Sequence, residues 1–140
     1  MRDNVWLADR LTHIKNSYFA DVAIPNTLLV RFGRSSRTRL GSISSSRSPE
    51  GKLVSLITLT GFFRSVEIPE SILDATLAHE LAHYTHGFHS PHLRRFTHPH
   101  RGNVVGHELK QRGAAHLVQE QQTWLKANWR QHVAEVRKIG

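Results

Sequence analysis

Cysteine is absent from the 140 residues. That excludes disulfides and thiolate ligands, so any metal must be held by His, Asp or Glu. Acidic residues are scarce. Eleven Asp and Glu face nineteen Lys and Arg, for a formal charge of +8 and a pI near 10.8. Such a field attracts polyanions, nucleic acid first and an anionic membrane surface second, the alternative being a protein that is merely basic. No apolar run reaches the length of a membrane span. The N-terminus, Met1-Arg2-Asp3-Asn4-Val5-Trp6, has no basic segment followed by an apolar one, so no secretion is expected and no membrane partner. The expected location is cytoplasmic, or nucleoid- or nuclear-associated. Repeats, coiled-coil heptads and Gly-rich phosphate loops are missing too. What remains is 39% hydrophobic, enough for one domain over residues 1–140 with a buried core.

Histidine is what the chain has in plenty: eleven, eight of them between His79 and His107. Among them is His79-Glu80-Leu81-Ala82-His83, an HExxH motif. On a helix, residues four apart share a face, so His79 and His83 can aim both imidazoles at one ion, with Glu80 beside them as general base. Ile68-Pro69-Glu70 suits a helix start, with proline in the first turn and an acid at the positive end of the dipole. Leu73, Leu77, Leu81 and Tyr84 form an apolar stripe roughly opposite the histidines. Gly87 is the expected stop.

A catalytic zinc takes three protein ligands and keeps one position open. His89, ten residues after His79 and brought round by the turn at Gly87, is assigned as the third, with His92 in reserve. Ser90-Pro91 reads as a cap and first turn of a short helix through Arg94 and Phe96 that would hold His89 in place. Glu108 or Glu120 is the alternative third ligand. His86, one turn past His83, is a candidate transition-state donor. A His-rich solvated helix would explain the same residues without a metal, but not their interruption of a segment rich in Leu and Ala.

Elsewhere, a first helix is expected from about Asp3 to Phe19, with Leu7, Leu11, Ile14 and Tyr18 on one face. Strands are expected at residues 28–32, 37–43 and 53–59, with residues 44–51 as a flexible connection. Backbone pairing with an extended substrate is assigned to residues 55–60. Residues 105–117 and 118–138 read as one or two helices with Gly113 as a break. Arg34, Arg37, Arg39 and Arg47, with Lys126, Arg130 and Arg137 on the last helix, are the candidate nucleic-acid contacts. Trp124 and Trp129 either pack on the core or, in the case of Trp124, stack on an unpaired base.

The motif at His79–His83, the following His89-Ser90-Pro91 leading to Phe96, and the upstream Arg37-Thr38-Arg39-Leu40-Gly41-Ser42 together resemble the SprT-like (Spartan-type) zinc metalloproteases. The likeness spans residues 31–96. It implies an α+β, gluzincin-like core in which a small three-stranded sheet packs on the HExxH helix, with N- and C-terminal helices. It also implies Zn2+ on His79, His83 and His89, and Glu80 activating a zinc-bound water. Eukaryotic members are implicated in degrading proteins crosslinked to DNA, so the expected partners are a protein substrate and DNA, single-stranded or structured. The cysteine-rich ribbon that many members carry after this core is absent. Two other functions fit the same histidines: a metal-dependent endoribonuclease, from a family whose motif resembles HxxxH without the glutamate, and a non-catalytic zinc-containing nucleic-acid-binding protein.

Overall fold

The computed structural model describes residues 1–139. Asp3 starts the first helix, its carboxylate accepting from the Trp6 backbone N–H at 2.8 Å, and α1 (Asn4–Tyr18) buries Leu7, Leu11 and Ile14. Three strands follow: β1 (Thr27–Phe32), β2 (Gly41–Arg47) and β3 (Leu53–Leu59). A 3-10 turn at Gly61–Arg64 leads into α2 (Glu70–Thr85). The chain then wanders from His86 to His100 before α3 (Val104–Gln111), α4 (Ala115–Trp124) and α5 (Arg130–Ile139). The last two are joined without a break by a π-helical turn at Leu125–Trp129.

The sheet has the order β1-β3-β2. β3 is central, parallel to β1 with Thr27 opposite Val54, and antiparallel to β2 with Gly41 opposite Leu59. Ser55, Ile57 and Leu59 alternate inward along β3, as a strand period of two requires. They meet α2, which is buried on nearly all sides, and α1, α3 and α4 pack around it. The expected α+β class with a small three-stranded sheet holds. The second strand is shifted along the chain: residues 37–40 belong to a loop, residues 41–43 are strand as expected, and residues 44–47, expected in a flexible connection, complete it. Polar Ser residues give no hydrophobic alternation to read there, and pairing with β3 decides the register instead. The short helix expected after Ser90 does not form; Ser90 instead turns its hydroxyl back to the Tyr84 carbonyl at 2.6 Å. Gly113, at φ +75°, separates α3 from α4 as anticipated.

One long-range lock fixes the N-terminus. The buried Arg2 guanidinium donates to the carbonyls of Phe63 (3.2 Å), Ser65 (2.7 Å) and Ile68 (2.6 Å), closing the turn that leads into α2. Arg2→Ala leaves those carbonyls without their charged donor and should cost about 2–4 kcal/mol. Urea unfolding of the two proteins measures it.

Candidate metal centre

His79 and His83 leave α2 on one face, and the loop after the helix returns His100 to the same point. Their three Nε2 atoms lie 3.0 Å (His79 to His83), 3.0 Å (His83 to His100) and 3.4 Å (His79 to His100) apart. Ligands at about 2.0–2.1 Å from a tetrahedral zinc stand about 3.3–3.4 Å from one another. A neutral imidazole offers each neighbour either one N–H or one lone pair, so three rings converging through the same nitrogen are poorly satisfied by each other. A cation among them satisfies all three, and the donor set fits a metal ion.

His89, the expected third ligand, is not in this cluster. Its Nδ1 lies 2.9 Å from Ser45 Oγ on β2, and its carbonyl accepts from Ser55 Oγ at 2.6 Å. The reserve, His92, is taken up by the Ala23 carbonyl at 2.7 Å and by the Tyr84 ring. Nor is either glutamate a ligand. Glu120 is exposed outside the cluster, and Glu108 is bound by His86 Nε2 at 2.8 Å and Arg112 Nε at 2.7 Å. Although burial opposes it, those two hydrogen bonds hold the Glu108 carboxyl below its usual range. This also disposes of His86 as a transition-state donor: it is 1% exposed and fastens α2 to α3 instead.

His100 became visible only when the chain doubled back. It follows His79 by 21 residues, further than the short return the glycine stop suggested. Gly87 makes the return possible. At φ +86° it takes a conformation that side chains avoid, and a Cβ there would lie 2.6 Å from the backbone of Leu93 and Arg94, which cross directly over it. The sequence signal that was available is the turn-rich Thr97-His98-Pro99-His100-Arg101-Gly102, which places an imidazole immediately before the next helix.

Glu80 is 4% exposed and shares a cleft of about 600 Å³ with His79, His83 and His100. The Arg39–Ile43 segment forms one wall. Gly41 lies so close that a Cβ would meet Thr76 Cγ2 at 2.5 Å and Glu80 Oε2 at 3.2 Å, so the strand start and the carboxylate are fitted to each other. Burial pushes Glu80 up to about 7, partly offset by the Arg39 cation. Burial and neighbouring imidazoles push His79 down to about 4 and His83 down to about 3. Both histidines therefore keep a free lone pair at neutral pH.

These shifts predict how the metal-free protein responds to acid. The histidine values lie below the unfolded value near 6.5, so the unfolded chain takes up their protons first and their stability is lost as pH falls below about 6.5. Glu80 acts oppositely, its contribution being present below about 4.5 and lost as pH rises through about 7. Two groups against one leave about one proton, so between about pH 4.5 and 6.5 these residues should raise stability by about 1.4 kcal/mol per pH unit. Denaturation of the chelated protein across that range is the check.

β3 has strands on both sides, so residues 55–60 cannot receive a substrate strand; the sheet edge beside the cleft is β2. Among the proposed nucleic-acid contacts, Arg34, Arg37 and Arg39 lie on the exposed loop before β2. Trp129 Nε1 donates to the Arg37 carbonyl at 2.8 Å, bringing the turn that carries Lys126 and Arg130 against that loop. Trp129 also packs edge-on to Phe62 and Phe63, as a core tryptophan would. Arg47 stands at the β2–β3 turn, donating to the Gly51 carbonyl at 3.2 Å, and Arg137 is exposed on α5. No helix among the described residues is long and apolar enough to cross a membrane. No known protein family, curated protein or solved structure matches the chain.

Proposed function

We propose that this protein is a zinc-dependent endopeptidase of SprT type, with His79, His83 and His100 as ligands and Glu80 as general base. The observation that carries it is the convergence of three Nε2 atoms beside a buried carboxylate in an open cleft. Zinc held there supplies Lewis acidity, polarising a carbonyl and acidifying a water. Glu80 takes the proton of the attacking water and delivers it to the leaving amine, a role suited to a carboxyl whose burial raises its affinity for protons. A substrate segment extended along the β2 edge would present its carbonyl to the cleft through backbone hydrogen bonds, which tolerates varied sequence.

Nucleic acid, DNA in particular, is the proposed recruiter, so that proteins bound or crosslinked to it become substrates. Support comes from the +8 charge and from the joined basic segments at Arg34–Arg39 and Lys126–Arg130, with Arg39 itself lining the cleft. The test is cleavage of a lysine-rich protein by the zinc-loaded chain, with and without single-stranded DNA. Cutting that is stopped by a chelator, restored by zinc and accelerated by DNA is expected. Zinc bound without any proteolysis overturns the proposal, and cleavage of RNA under the same conditions would replace it with the nuclease.

A further inference from the structure

We propose that His89 is a catalytic residue that donates a hydrogen bond from Nε2 to the oxyanion formed when water adds to the substrate carbonyl. This rests on the hydrolytic function proposed above, and it gives a role to an imidazole that stands at the cleft without joining the metal ligands.

Three observations support it. His89 lines the same cleft as Glu80, His83 and His100. Its backbone is held at φ +53°, a region that non-glycine residues seldom enter and that clusters at sites where function maintains it. Finally, although the residue is exposed, both its ring and its backbone are held by hydrogen bonds. Ser45 Oγ meets Nδ1, and Ser55 Oγ donates to the carbonyl while itself accepting from Asn26 Nδ2 at 2.9 Å. Asn26 is in turn fixed by the Tyr84 hydroxyl, and Tyr84 directly follows the ligand His83 on α2. The neighbouring Phe88 N–H donates to the His83 carbonyl at 3.0 Å.

The proposal requires one of the two tautomers that the 2.9 Å contact between Ser45 Oγ and Nδ1 permits. With the Ser45 hydroxyl donating to Nδ1, the ring carries its hydrogen on Nε2 and offers it to the cleft. As the water oxygen bonds to the carbonyl carbon, the carbonyl π pair moves onto oxygen and the water proton goes to Glu80. His89 keeps its own proton and stabilises the negative oxygen, the kind of preorganised donor whose loss costs about 10²–10³ in kcat. Ser45 is a positioning residue.

The experiment uses the zinc-loaded full chain, a fluorogenic lysine-rich peptide and its phosphinic analogue, which carries the oxyanion geometry. His89→Ala is expected to keep its zinc, to lose about 100-fold in kcat with KM within about twofold, and to bind the phosphinic peptide about 100-fold more weakly. His89→Gly removes the same imidazole while relaxing the positive φ, so the same loss in a chain of undiminished stability excludes misfolding as its cause. Ser45→Ala should shift kcat and phosphinic affinity in the same direction by about tenfold, again without moving KM. Loss of zinc from His89→Ala would overturn the proposal by making the residue a ligand. So would a kcat and a phosphinic affinity within about twofold of wild type, or a rise confined to KM. If the wild type neither cuts the peptide nor binds the phosphinic analogue, the hydrolase itself fails and this role falls with it. If the wild type does both, only the role of His89 is at stake.

Discussion

His100→Ala is expected to lose metal affinity by more than about 100-fold, beyond the 10–100-fold that removal of an outer-shell partner typically costs. His89→Ala should retain stoichiometric zinc. The contrast is sharp because both histidines follow the same helix and both line the same cleft, yet only His100 puts a ring nitrogen within 3.4 Å of both His79 and His83. With three protein ligands, zinc has a tetrahedral site open at one position; with two, it has lost a third of its protein donors and the pull they exert against water. His100 is solvent-exposed, and among the described residues its side chain makes no hydrogen bond outside the histidine cluster; its carbonyl accepts from the Asn103 N–H, which the substitution leaves in place. Its removal should therefore leave the metal-free fold intact, and zinc titration with a competing chelator, alongside thermal unfolding with and without metal, separates affinity from stability. In wild type, zinc at 100 times its Kd should add about 2.7 kcal/mol. In His100→Ala at the same concentration most of that gain should vanish. Retained affinity in His100→Ala, with loss in His89→Ala, would reverse the ligand assignment.

Glu80→Gln should abolish turnover while sparing the metal. A positioned general base is worth about 10²–10⁴-fold, and glutamine keeps the volume while losing the ability to accept and return a proton. Zinc content should not change, because the three Nε2 atoms converge without the carboxylate. The fold should not suffer either. Glu80 is 4% exposed, and burial already disfavours its charge, so a neutral isostere removes a desolvation cost. The expected signature is a dead enzyme with full zinc and an unfolding temperature equal to or above wild type. Falling stability together with activity would mark Glu80 as structural. Turnover within tenfold of wild type would remove it from the mechanism.

The local chemistry of this protein is written in its sequence. HExxH on an Ala- and Leu-rich segment determines a helix and places His79, Glu80 and His83 together, because i, i+4 geometry needs no knowledge of the rest of the chain. The apolar, β-branched run at β3 and the capped start of α1 were legible for the same reason: hydrophobic period and capping are properties of a few consecutive residues.

Tertiary structure decided everything that depends on where distant segments meet. Whether His89, His92, Glu108 or His100 joins His79 and His83 in one cluster turns on a loop that crosses back over Gly87, and no local pattern encodes the direction of that return. Pairing with β3, not alternation, determined that the Ser-rich residues 44–47 form an edge strand, since serines carry no burial signal of their own. His86 looked equivalent to its neighbours until α3 packed against it and Glu108 claimed its ring. Sequence determines which imidazoles a helix can aim together. Long-range packing determines which further one joins them, because that choice is made by backbone hydrogen bonds and close contacts between residues far apart in the chain.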